Sequence, residues 1–81
     1  MKIIIIDNKI ISLENILTVD LRTFGTGAKS NPYYYDIMFR YTNNKEVCTE
    51  YFNNEETAQN WFKKISEKLS ENAWQIAPSV L

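Results

Sequence analysis

Tyr33-Tyr34-Tyr35-Asp36-Ile37-Met38-Phe39-Arg40-Tyr41-Thr42-Asn43-Asn44-Lys45-Glu46-Val47-Cys48-Thr49-Glu50-Tyr51-Phe52 is the stretch on which the fold turns. It alternates with period two, the pattern of a strand with one buried face. Tyr33, Tyr35, Ile37, Phe39 and Tyr41 fall on one side, and Tyr34, Asp36, Met38 and Arg40 on the other. After a polar turn, Lys45 to Phe52 sets Val47, Thr49 and Tyr51 against Glu46, Cys48 and Glu50. A two-residue Asn43-Asn44 turn would pair Ile37 with Glu50 and Arg40 with Val47, mixing the faces. A three-residue Thr42-Asn43-Asn44 loop pairs Phe39 with Val47, Ile37 with Thr49 and Arg40 with Glu46. A one-residue slip would move every side chain to the other face, so the consistent register is expected. That loop needs a residue near the left-handed region at its end, a conformation Asn44 tolerates. The same register sets Asp36 opposite Glu50, a repulsive pair and either a weak cation site or a flaw in the pairing.

Downstream, Asn53 or Asn54 is placed to cap a helix, with Glu55 and Glu56 at its positive end. Ala58, Trp61, Phe62, Ile65 and Leu69 form one apolar stripe at helical spacing, suited to covering the sheet. On that reading Trp61→Ala would cost about 3–5 kcal/mol. The helix is expected over about residues 54–71.

Upstream, residues 2–6 are largely β-branched, which favours strand. Both faces of that run are apolar, which implies cover on both sides. Asp7-Asn8 reads as a tight turn and Lys9 to Leu13 as a returning strand. Ile16 to Phe24 forms the third strand, with Leu17, Val19 and Leu21 on one face and Thr18, Asp20 and Arg22 on the other. Gly25 to Pro32 holds both glycines and a proline and reads as a loop. The expected architecture is α+β: a mostly antiparallel sheet of about five strands, with one C-terminal amphipathic helix on one face. Residues 1–72 make the domain, and 73–81 form an apolar tail carrying Trp74, Ile76, Val80 and Leu81 without a charged side chain.

Composition narrows the function. Nine basic and ten acidic residues, no His and one Cys stand in 81 residues. A His-based triad, an imidazole switch or a His-ligated metal therefore has no residue to use, and one Cys makes no internal disulfide. No cofactor, metal or catalytic residue is assigned. The formal charge of −1 lacks the basic excess that nucleic-acid binding uses. The apolar run Ile3 to Ile6 is too short for a signal peptide or a membrane span. A single thiol without a staple fits a cytoplasmic location.

Motif readings are weighed in their context. Gly25-Thr26-Gly27-Ala28-Lys29-Ser30 lacks the Gly before Lys and the following helix of a phosphate loop, so a strand connection is the reading. The three tyrosines could stack bases, but Asp20 and Asp36 interrupt the nearby cations, and packing is favoured. Cys48 has no His to activate it and has acidic neighbours in Glu46 and Glu50.

The segments Ile11-Ser12-Leu13-Glu14-Asn15-Ile16, Tyr35 to Tyr41, Glu46 to Phe52 and the Asn53-to-Leu69 helix together have a recognisable rhythm. The pattern resembles the later strands and closing helix of small bacterial pleckstrin-homology-like domains, and short uncharacterised bacterial proteins with a similar opening hairpin. That resemblance implies a non-catalytic adaptor or assembly domain. No lipid-binding residues carry over, since the turn between the first two strands is Asp7-Asn8 rather than a basic loop. The functional expectation is a self-associating interaction module, most simply a homodimer. Its candidate interface residues are Ile4, Ile6, Tyr34, Trp74, Ile76, Val80 and Leu81. The competing reading is a small-molecule or lipid pocket between helix and sheet, lined by Trp61, Phe62, Tyr35 and Phe39.

Overall fold

A computed structural model describes residues 2–70. Five strands and one helix appear in the order β1 (Ile3–Ile6), β2 (Lys9–Ser12), β3 (Ile16–Phe24), β4 (Tyr34–Tyr41), β5 (Glu46–Cys48) and α1 (Glu55–Ser70). All strand pairings are antiparallel, and α1 packs against β3 and β4. This is the expected α+β arrangement. The strands divide, however, into two ladders: β1-β2, and β3-β4-β5. The break falls at Glu14-Asn15, where Asn15 takes a positive φ of 61° and redirects the chain. The hairpin is still tied down. Lys2 Nζ donates to the Lys68 carbonyl at 2.7 Å, and Lys9 Nζ to that of Cys48 at 2.9 Å. Tyr41 Oη donates to the Ser12 carbonyl at 2.6 Å, and burial pushes this phenol's pKa up, which keeps it a donor.

The β4-β5 register is the expected one, with Phe39 opposite Val47 and Arg40 opposite Glu46. Tyr41 N–H donates to the Lys45 carbonyl and Asn44 N–H to that of Tyr41, both at 2.9 Å, closing the three-residue loop. Asn44 has φ 71°. A β-branched residue there would be strained, so Asn44→Val is expected to cost about 1–2 kcal/mol, whereas Asn44→Gly keeps the turn. Urea unfolding of the two variants reads the difference.

Beyond Cys48 the expected ladder breaks. Thr49 N–H still donates to the Ile37 carbonyl at 3.0 Å, and the Thr49 hydroxyl accepts the Ile37 N–H at 3.0 Å. The next pair is Tyr35 with Phe52. Glu50 and Tyr51 therefore face Asp36 alone, a bulge of one extra residue. The bulge removes the Asp36–Glu50 opposition. It also turns Tyr51, expected inward, out to 62% exposure, and puts Phe52 into the core. A second irregularity lies between Ile16 and Thr18 in β3. It leaves Leu17, also expected inward, 59% exposed while Ile16, Val19 and Leu21 pack on the core.

Ile6, Ile11, Leu13, Tyr35, Ile37, Phe39, Phe52, Ala58 and Ile65 form that core. Tyr33, expected inward, lies before β4 and is exposed. Its ring covers Gly27, where a Cβ would approach it to 2.7 Å. β1 is covered on one side only: Ile6 is buried, Ile3 and Ile4 are half-buried, and Ile5 stands outward. On α1, the Asn54 Oδ1 accepts the Thr57 N–H at 3.1 Å, the expected cap. Ala58 and Ile65 are buried, whereas Trp61, Phe62 and Leu69 are only partly so.

Candidate interaction surface

Three surface features bring chemistry-bearing or apolar side chains together. The first is on the hairpin. Ile5 and Ile10 are cross-strand partners, 56% and 68% exposed. Period-two alternation places them opposite Ile4, Ile6 and Ile11, which pack on the core, so the hairpin turns one face to the core and one to water. The two side chains together form an apolar pair open to solvent on the outer face of the hairpin.

The second feature is the sheet face turned away from α1. Phe24 and Tyr34 are opposite each other in the β3-β4 ladder and stack, with ring centroids 5.3 Å apart. Tyr51, turned outward by the bulge, meets both edge-on at 5.8 and 4.9 Å. Beside them Arg22 makes a two-pronged pair with Asp36, Nε to Oδ1 at 2.8 Å and Nη2 to Oδ2 at 2.6 Å. The guanidinium also lies 5.0 Å from the Phe24 ring centroid and 3.4 Å from Cys48 Sγ. Alternation alone would set Asp36 on a wet face. Its side chain is in fact 2% exposed, and it is buried because Arg22 satisfies both carboxylate oxygens. The hydrogen bonds to Asp36 in turn raise the Arg22 pKa above its ordinary value against an opposing desolvation. This carboxylate is committed to structure and is not free for acid–base work. Cys48, half-buried, touches a cation that is already paired.

The third feature is a groove between the start of β3 and the later turns of α1. It encloses about 510 Å³ and is bordered by Leu13, Ile16, Leu17, Phe62, Ile65 and Leu69. The pocket expected from sequence has different walls. Phe39 and Tyr35 are core residues, and Trp61 borders a smaller recess with Thr57 and Lys64, so only Phe62 reaches the groove.

Of the residues expected at an interface, Ile6 is in the core, and Ile4 and Tyr34 are half-buried. Trp74, Ile76, Val80 and Leu81 lie outside the described residues. Sequence reasoning does not single out Ile5, Ile10, Leu17 or Tyr51 as surface groups. For Ile5 and Ile10 the signal is available, since alternation fixes their side once Ile6 and Ile11 are inward. For Leu17 and Tyr51 no residue type marks the irregularity that exposes them.

In the loop between β3 and β4, the Thr26 and Gly27 N–H groups both donate to the Asn31 carbonyl at 3.0 Å. Those donors are used within the loop, as a strand connection requires, and not presented to a phosphate. Among the described residues no cluster of three His, Cys, Asp or Glu could hold a metal, and no helix is long and apolar enough to cross a membrane.

No protein-family model matches the chain, and neither the curated proteins nor the solved structures give a significant match. Its class is therefore defined by its own architecture, a small α+β fold of two antiparallel ladders closed by one helix.

Proposed function

We propose that the chain is a non-catalytic interaction module that associates with a second copy of itself through the outer face of the β1-β2 hairpin. The observation that carries this reading is the exposed Ile5–Ile10 pair. Stacking two such faces about a two-fold axis buries isoleucine on isoleucine, and a two-fold contact needs a surface complementary to itself. The formal charge of −1 imposes little repulsion between copies. A domain of this size buries roughly 60–65% of its unfolded surface, so contact with a second copy also adds to a small core. The likeness to pleckstrin-homology-like adaptor domains points the same way, toward assembly in the cytoplasm without chemistry of its own. Ile5→Asp and Ile10→Asp are each expected to weaken association by roughly tenfold or more, since each removes a buried branched side chain and inserts a charge. Sedimentation equilibrium measures this. A wild-type chain that stays monomeric throughout the micromolar range overturns the proposal.

A further inference from the structure

Among the described residues β3 is bonded to β4 alone, and no strand pairs with its other edge. The bonds on the far side of β4 decide which backbone groups that edge presents. Tyr35 exchanges both backbone hydrogen bonds with Phe52, at 2.9 and 2.7 Å, and the Ile37 carbonyl accepts the Thr49 N–H at 3.0 Å. Tyr35 and Ile37 are therefore committed to the β5 side. Alternation directs Tyr34, Asp36 and Met38 the other way, toward their β3 partners Phe24, Arg22 and Asp20. The β3 residues between those partners, Val19, Leu21 and Thr23, aim N–H and C=O out of the ladder at the open edge. Such a row is a template for another strand. We propose that the strand it takes is β3 of a second copy, antiparallel about a two-fold axis at Leu21. The order across the joined sheet is then β5-β4-β3-β3-β4-β5.

Charge selects this partner and this register. Outward-aimed groups bond only to outward-aimed groups, so Val19, Leu21 and Thr23 must be set against one another. With the axis at Leu21, that residue is opposite Leu21 of the second copy, and Val19 is opposite its Thr23. Each pair exchanges both N–H···O=C bonds. The same register puts Asp20 opposite Arg22 of the second copy, and symmetry repeats the pair. Sliding one strand by a pairing step in either direction sets Asp20 against Asp20 or Arg22 against Arg22, which is repulsive. Arg22 can serve two carboxylates. Asp36 takes its Nε and Nη2, which leaves the Nη1 donors for Asp20 of the second copy. Asp20 is exposed on the same face of β3 as Arg22. The irregularity between Ile16 and Thr18 bounds the paired stretch at one end, and Gly25, with φ 92°, bounds it at the other. This contact does not rest on the hairpin contact, which uses a different surface. A chain with both has two two-fold contacts, from which closed tetramers are built.

Amide hydrogen exchange, read residue by residue by NMR beside sedimentation equilibrium, tests it on the Ile5→Asp chain, in which the hairpin contact is disabled. The N–H groups of Val19, Leu21 and Thr23 are expected to be protected in proportion to the dimer present. Those of Asp20 and Arg22, bonded to β4, stay protected in the monomer. Asp20→Lys sets like charges opposite each other twice and is expected to raise the dimer dissociation constant roughly tenfold or more. Asp20 is on the surface, and unchanged circular dichroism verifies that the fold is kept. If a variant does not fold, the wild-type chain gives the readout. Its three edge amides are expected to lose protection on dilution, and to lose it sooner in added salt, which screens exposed charge pairs. A chain that stays monomeric throughout the micromolar range overturns the proposal. A dimer whose edge amides exchange freely places the contact elsewhere and overturns it too. Protection in a chain that sediments as a monomer assigns the edge to its own residues and overturns the second copy. An Asp20→Lys chain that dimerises as tightly as before overturns the register.

Discussion

Phe39→Ala is expected to remove about 3–5 kcal/mol of stability. Phe39 is fully buried at the centre of β4, the strand that pairs with both β3 and β5 and faces α1. It is opposite Val19 on one side and Val47 on the other, and it shares the core cluster with Ile37, Ala58 and Ile65 among others. Truncation leaves a ring-sized void whose walls are ladder backbone and a helix, neither of which can close over it cheaply. Stability for a chain of this length is roughly 4–12 kcal/mol, so the variant is expected to be partly unfolded at ambient temperature or to melt more than about 12 °C lower. Trp61→Ala makes the informative contrast. Helical spacing alone puts Trp61 on the same stripe as Ala58 and Ile65, but its ring is only partly buried and carries Lys64 Nζ at 5.0 Å from its centroid. Its loss is expected to cost about 1–2 kcal/mol, within the common range for single changes. Guanidinium unfolding of the two variants should rank them in this order. Equal losses would mean that the helix is rotated relative to the sheet.

The contrast shows where the sequence is readable. Alternation in Tyr34 to Tyr41 and helical spacing in Ala58 to Leu69 specify the elements, although β4 is buried on both faces, with Asp36 and Met38 covered as well as Ile37 and Phe39. The turn register follows from keeping Phe39 with Val47 and Arg40 with Glu46. What escapes is set by single-residue irregularities. The extra residue at Glu50-Tyr51 and the break at Ile16/Thr18 each interrupt the alternation, so that residues before and after it no longer follow one period. No residue type there announces it, since neither site has a glycine or proline. Both irregularities create surface features, the outward Tyr51 and the groove-facing Leu17. The candidate surface is thus the least legible part of the chain, and its aromatic cluster and apolar groove both depend on departures from pattern. The covered and uncovered faces of β1 also require tertiary information. Four isoleucines in a row have no alternation to read, and the position of the core decides which are buried.

The Arg22–Asp36 pair is illegible for another reason. Its partners are on neighbouring strands joined by a loop of irregular course, and only the β3-β4 register brings them opposite. Arg22→Met is expected to destabilise the protein by about 3 kcal/mol, because it leaves the Asp36 carboxylate buried without its partner. Arg22 is itself about a third exposed, so water admitted beside the shorter thioether relieves part of the penalty, which puts the expected cost at the low end for a stranded buried charge. The reverse change is expected to be milder. Asp36→Leu leaves a guanidinium that can turn toward solvent while keeping its position over the Phe24 ring. The double variant Arg22→Met/Asp36→Leu should recover most of the loss, since well-packed apolar residues commonly replace a buried ion pair at little cost. Urea unfolding of the four chains forms a double-mutant cycle, and a coupling of about 1–3 kcal/mol is expected for groups in direct contact. Additive losses would mean that the two side chains do not interact, and the burial of Asp36 would then need another cause. Substantial coupling would show that the ion pair is what permits a carboxylate to be buried on the same face of β4 as Met38.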